Sequence, residues 1–247
     1  MAPIEYDRRK QKTRIADDIL TPAEIAEIIK NDPGGEFQYE LRSMLESGQA
    51  PASYVRQAWS EHALYYTANR GARSLIVGFG GAVNRLGVPI SYFLQTLRED
   101  LYDVLVLQDP RKLHFTRGVS GLGSFVDVIR RVESYAEANG FTEIITYGSS
   151  MGGFPALRAG ILLNASRAIS MSGRFCWHPG RLRRRAPSIA AFDPLCPCFS
   201  STSTQLVAVV PTHHEEDVEA LELLQRTFPA CVTIKVDVTH IPSPPSS

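Results

Sequence analysis

Gly148-Ser149-Ser150-Met151-Gly152 sets a serine between glycines two positions to either side, directly after the run Ile144-Ile145-Thr146-Tyr147. A serine that attacks a carbonyl must stand clear of its sheet on a sharp strand-to-helix turn, at a strained backbone angle. Such a turn admits only small residues at the two flanking positions. The helix that follows aims the positive end of its dipole at the hydroxyl. Ser150 is therefore the candidate nucleophile, and the backbone N–H of Met151 is a candidate donor to the oxyanion that its attack creates. The plain alternative is a tight turn with an idle serine. The apolar strand before it and the amphipathic stretch after it favour the chemical reading.

A second glycine group, Gly78-Phe79-Gly80-Gly81, follows the apolar run Leu75-Ile76-Val77. As a dinucleotide G-x-G-x-x-G it fails: the third small residue would fall at Val83, and no acid closes a strand about 20 residues further on. A glycine pair in this place instead lets a backbone N–H approach a tetrahedral oxyanion, a donor worth ~2.7–4 kcal/mol of barrier. Gly80 and Gly81 are the candidates, with Phe79 as the alternative.

Both groups need a scaffold that brings strand ends together. From about residue 62, β-branched runs alternate with helical periodicity. Strands are expected over His62–Thr67, Ser74–Phe79, Tyr102–Leu107, Thr142–Tyr147, Arg167–Met171, Gln205–Val210 and Cys231–Val236. Helices are expected over Ser124–Ala138, Pro155–Leu163 and Glu215–Phe228. Strands this continuously apolar, alternating with helices, predict an α/β fold: a mostly parallel buried sheet with helices on both faces. Residues 1–60 read instead as a small helical N-terminal region. Thr21-Pro22-Ala23-Glu24 opens a helix with Ile25, Ile28 and Ile29 on one stripe. Residues 242–247, rich in Pro and Ser, read as a disordered tail.

The segments Leu75–Gly81, Val104-Leu105-Val106-Leu107-Gln108-Asp109-Pro110-Arg111 and Tyr147–Gly153 together resemble the α/β-hydrolase superfamily, in its bacterial esterase-like branches, over residues 61–241. The resemblance implies a nucleophile elbow at Ser150 and an oxyanion loop at Gly80 and Gly81. It also implies a chain order of serine, acid, histidine, with the last two following successive late strands. By that similarity His240 is the general base and Asp217 its orienting acid, Glu215 and Glu216 being the alternatives for the acid. Each of these acids also suits the first turn of a helix opened by Thr212. His62, His114 and His178 fall outside the expected slots and read as surface or mouth residues. The implied activity is cleavage of a carboxylic ester or thioester through an acyl-enzyme on Ser150, with no metal or organic cofactor. The substrate would be a small-molecule acyl ester or an acylated glycan. An acyltransferase using the same serine is one rival. A non-catalytic accessory protein that keeps the fold is the other, favoured by the short chain after His240.

Between Met171 and Gln205 lies an insertion, residues 172–204, carrying Arg181-Leu182-Arg183-Arg184-Arg185. It reads as a solvated face, or more sharply as an anion-binding lip for a phosphate or acidic sugar. Over the whole 247-residue chain, 26 Lys and Arg balance 26 Asp and Glu, which argues against a surface that binds nucleic acid broadly. No apolar run is long enough to span a bilayer, and five of the first ten residues are charged, where a signal peptide needs an apolar core. A cytoplasmic location follows as an expectation. The four cysteines, including Cys196-Pro197-Cys198, fit reduced thiols better than a disulfide framework or a zinc site.

Overall fold

The computed structural model describes residues 22–31, 42, 45–46, 54–82, 85–173, 202–212 and 215–237. Its strands are β1 (Val55–Ser60), β2 (Ala63–Thr67), β3 (Ser74–Phe79), β4 (Tyr102–Leu107), β5 (Glu143–Ser149), β6 (Arg167–Met171), β7 (Gln205–Pro211) and β8 (Val232–Val236). Its helices are α1 (Pro22–Asn31), α2 (Ile90–Gln95), α3 (Phe125–Ala138), α4 (Gly153–Leu162) and α5 (Glu215–Thr227). All eight strands form one sheet in the order β1-β2-β4-β3-β5-β6-β7-β8. Strands β3 to β8 run parallel, while β1 and β2 pair antiparallel at one edge.

The centre of this sheet explains its apolar strands. Every residue of β3 is buried, because β3 lies between β4 and β5 with helices over both faces. Alternation along it divides two cores. Leu75, Val77 and Phe79 face a cluster with Phe125, Val128, Ile129 and Val132 of α3, whereas Ile76 faces Ile90 and Leu94 of α2. A further cluster packs Phe154 and Leu157 of α4 against β6, β7 and Leu221 and Leu224 of α5.

Local chemistry sets the start of α3. The Ser124 hydroxyl accepts from the Asp127 N–H while the Asp127 carboxylate accepts from the Ser124 N–H, a reciprocal capping box that satisfies two amides at the helix start. The Ser124 hydroxyl and amide beside it hold the Asp127 carboxyl below its ordinary range.

Two elements depart from the sequence reading. Val55–Ser60, at the end of the stretch read as helical, is a strand that pairs with β2 from Val55↔Thr67 to Ser60↔Ala63. It escapes notice because it is an edge strand, largely exposed and interrupted by a bulge between Ala58 and Ser60, so no apolar run marks it. Helix α2 was also missed, since six residues are too few to show helical periodicity.

Cys231 is a free, buried thiol, and burial pushes its pKa up to about 11. Cys176, Cys196 and Cys198 lie outside the described residues, as do the arginine cluster 181–185 and the tail 242–247. Among the described residues, no helix is long and apolar enough to cross a membrane.

Candidate active site

Strand β5 ends at Ser149, in an extended conformation with φ −121° and ψ 146°. The next residue, Ser150, turns to φ +49°, and a single 3₁₀ turn over Ser150–Gly152 leads into α4. A non-glycine residue in the left-handed region is held there at a cost of order 1–2 kcal/mol. Ser149 is 6% exposed, whereas Ser150 is half-buried and reachable. Of the two adjacent serines, only Ser150 sits on the bend.

The flanking glycines are required by space. A Cβ on Gly148 would overlap the Gly152 carbonyl and come within 3.0 Å of Ala156 Cβ. A Cβ on Gly152 would overlap the Phe79 carbonyl oxygen and lie 3.0 Å from the Gly80 oxygen. Gly153 is equally confined, with Gly173 Cα 2.6 Å from where its Cβ would be. The turn is thus pressed against the end of β3, and Ser150, Met151, Gly80 and Gly81 are brought to one place at the carboxyl edge of the sheet. Behind it, the Thr146 hydroxyl donates to the Ala156 carbonyl at 2.7 Å and ties β5 to α4.

The amides of the loop after β3 have partners of different kinds. The Gly80 N–H donates to the Leu107 carbonyl at 2.9 Å and so continues the β3–β4 ladder. The Gly81 N–H donates to the Arg85 carbonyl at 2.8 Å, a bond within the loop. Met151 occupies the second position of the 3₁₀ turn, where an amide has no acceptor inside its own turn. Sequence reasoning could propose the two glycines as donors. It had no way to see that both amides already have acceptors.

Two residues that sequence reasoning missed hold this loop. The Tyr147 hydroxyl donates to the Leu86 carbonyl at 3.0 Å, with Met171 Sδ 2.6 Å away, and its ring packs on Phe93 with centroids 5.1 Å apart. Gly87, at φ +89°, passes where a Cβ would be 3.4 Å from Ser149 Cβ. The available signal was position alone: Tyr147 lies two before Ser149 and so projects from the same face of β5.

After β4, the 1%-exposed Asp109 organises a second loop. Its carboxylate accepts from the N–H groups of Leu113 at 2.7 Å and Phe115 at 2.9 Å, while Arg111 Nε lies 3.8 Å away. Lys112, His114 and Phe115 all adopt positive φ there, so the carboxylate offsets a strained backbone. His62 lies in the β1–β2 turn at the same edge, its carbonyl accepting from the Gln108 N–H.

The proposed acid and base stand differently. Glu215, Glu216 and Asp217 form the first turn of α5, which starts just after β7. His240 lies outside the described residues. What precedes it is placed: β8 pairs with β7 up to Pro211↔Val236, and the Thr212 N–H donates to the Val236 carbonyl at 3.0 Å. The chain therefore leaves β8 beside the point where it enters α5. Among the described residues, no group of three or more His, Cys, Asp or Glu is arranged to hold a metal ion.

No protein-family model and no curated protein matches the chain. Solved structures do. A carboxylesterase from Bacillus subtilis superimposes with a TM-score of 0.53 at 13% identity, over 83% of this chain and 90% of that one. An α/β-hydrolase enzyme from a sediment metagenome of the Mar Chica lagoon, Morocco, gives 0.51 at 16% identity, over 76% and 90%. The enterobactin esterase of Shigella flexneri gives 0.53 at 17% identity, over 78% of this chain and 55% of that one. Likeness at this level of identity speaks to architecture: the sheet order and helix placement are those of the α/β-hydrolase fold.

Proposed function

We propose that this chain, which has the α/β-hydrolase fold, is a serine hydrolase that cleaves carboxylic esters or thioesters through an acyl-enzyme on Ser150. The observation that carries this reading is the elbow itself. A non-glycine residue is held at φ +49° by two glycines that neighbouring backbone leaves no room to enlarge. Strain of this kind persists where surrounding structure enforces it, and it presents one hydroxyl above the sheet edge.

In the proposed mechanism His240 takes the proton of Ser150 as its oxygen attacks the acyl carbonyl. Asp217 fixes the imidazole tautomer and stabilises the imidazolium. The adjacency of the β7 and β8 ends supports this pairing, because β8 ends at the sheet edge where α5 begins. The Met151 N–H and one amide of the β3–α2 loop receive the oxyanion. Of the two glycines, Gly81 fits this role better. The Gly80 amide continues the ladder with Leu107, whereas the Gly81 amide is held by a loop carbonyl alone, and an anion is the stronger acceptor. The imidazolium then protonates the leaving alcohol or thiol, and His240-activated water releases the acid.

A small p-nitrophenyl acyl ester tests this reading. The expected result is a burst of p-nitrophenolate approaching one equivalent per chain, followed by slower steady turnover, with both phases unchanged in a chelator. Absence of any turnover would favour a non-catalytic protein that keeps the fold. Added alcohols that divert the acyl group at the expense of free acid would assign the same serine to acyl transfer.

A further inference from the structure

We propose that Tyr147 is a positioning residue for the oxyanion site, acting through the peptide of Leu86 rather than on substrate. The inference rests on the reading of Ser150 as nucleophile and Gly81 as donor, and it deepens that reading.

Residues Arg85–Gly87 lie against the end of β5 as a strap. Its Arg85 carbonyl receives the Gly81 N–H at 2.8 Å, and the next carbonyl, that of Leu86, receives the Tyr147 hydroxyl at 3.0 Å. Two consecutive carbonyls thus hold the donor glycine on one side and strand β5 on the other before substrate binds, so the Gly81 amide is set beside the elbow when the oxyanion forms and takes over its hydrogen bond from the Arg85 carbonyl. Leu86 gives the strap a fixed end: its side chain is fully buried, within 2.9 Å of where a Cβ on Gly78 would be. At the other end, the position of a Gly81 Cβ lies 3.2 Å from the Ser149 carbonyl oxygen, one residue before the nucleophile.

Tyr147 is suited to hold such a strap. Its ring is packed against Phe93, and burial raises its pKa to about 12, so the phenol remains a protonated donor throughout the neutral range. Of its two acceptors a carbonyl oxygen binds a hydroxyl proton better than a thioether sulfur does. Without the hydroxyl, the Arg85–Leu86 peptides lose their tie to β5, and the Gly81 amide drifts relative to Ser150. Ground-state binding, which does not use that amide, is spared. Misplacement of about 1 Å in such a site lowers turnover by as much as 10²-fold.

The test is steady-state kinetics on the full chain with the same p-nitrophenyl ester, alongside affinity for a boronic acid that forms a tetrahedral adduct on serine. Tyr147→Phe is expected to lower kcat by roughly 10–100-fold and to weaken boronic-acid binding in parallel, with KM within about twofold. Met171→Leu, which leaves the Leu86 bond in place, should change neither. Gly87→Ala strains the same strap from outside the core and should reproduce the kcat loss, which keeps the proposal testable if Tyr147→Phe does not fold. Parent-like kcat in Tyr147→Phe overturns it, as does parent-like kcat in Gly87→Ala where Tyr147→Phe does not fold, or an equal loss in Met171→Leu. A parent chain with no burst removes the hydrolase reading first, and this one with it.

Discussion

Ser150→Ala is expected to lower ester turnover by on the order of 10⁴–10⁶-fold while leaving the fold and melting behaviour of the chain nearly intact. The size of the loss follows from what the hydroxyl does: with no oxygen to acylate, only binding and the oxyanion donors remain. The small effect on stability follows from the geometry. Ser150 is half-buried, and alanine at φ +49° bears the same strain that serine does. Ser150→Gly separates strain from chemistry. It should be equally inactive yet about 1–2 kcal/mol more stable than Ser150→Ala, because glycine alone enters the left-handed region without penalty. Paired kinetics and urea denaturation on the two variants check both parts. Turnover of Ser150→Ala within a few fold of the parent would remove the acyl-enzyme mechanism.

Gly152→Ala should be among the most damaging single-methyl changes in the chain. The added Cβ would overlap the Phe79 carbonyl oxygen and sit 2.7 Å from its carbon. Neither atom can yield, because Phe79 is the last residue of a strand paired on both sides, with Leu107 and with Gly148. Relief must come from the turn, which would move away from β3 and carry Ser150 and Met151 off the Gly80–Gly81 loop. A loss of about 3 kcal/mol or more is expected, with specific activity falling even in the folded fraction. Gly121→Ala is the matched comparison. Unlike Gly152, whose φ is −82°, it has positive φ, at +80°, but open space around it, so only backbone strain of about 1–2 kcal/mol is expected. Equal stability losses in the two variants, by chemical denaturation, would show that the elbow is less tightly seated than its geometry implies.

Much of this architecture was legible in the residues, for a physical reason. Central parallel strands are buried on both faces, so β3 and β4 appear as unbroken apolar runs, and their observed spans, Ser74–Phe79 and Tyr102–Leu107, are those the sequence suggests. The elbow was legible because Gly148 answers to sterics within its own turn, against Gly152 and Ala156, whereas the contact that confines Gly152, with Phe79, is remote in sequence. Edge strand β1 was not, because a strand exposed to solvent has no apolar requirement to display. The hydrogen bonding of the loop after β3 was hidden for a different reason. Whether the Gly80 or Gly81 amide is already engaged depends on Leu107 and Arg85, and backbone partners leave no trace in residue type. Tyr147 is an intermediate case. Its alternation with Ser149 placed it on a known face, but its acceptor, the Leu86 carbonyl, belongs to a loop whose path no local pattern predicts. The histidine and acid were read from order along the chain. The neighbouring ends of β7 and β8 make that order physically reasonable, and the roles of His240 and Asp217 stand as proposals.

In the proposed mechanism Ser150, and not its neighbour Ser149, is the activated nucleophile. Treating the intact protein with a fluorophosphonate and mapping the adduct by tandem mass spectrometry addresses it most directly. One adduct per chain is expected, on Ser150, lost in Ser150→Ala and suppressed by prior reaction with an acylating ester. An unlabelled chain, or an adduct on Ser149 that survives Ser150→Ala, would contradict it.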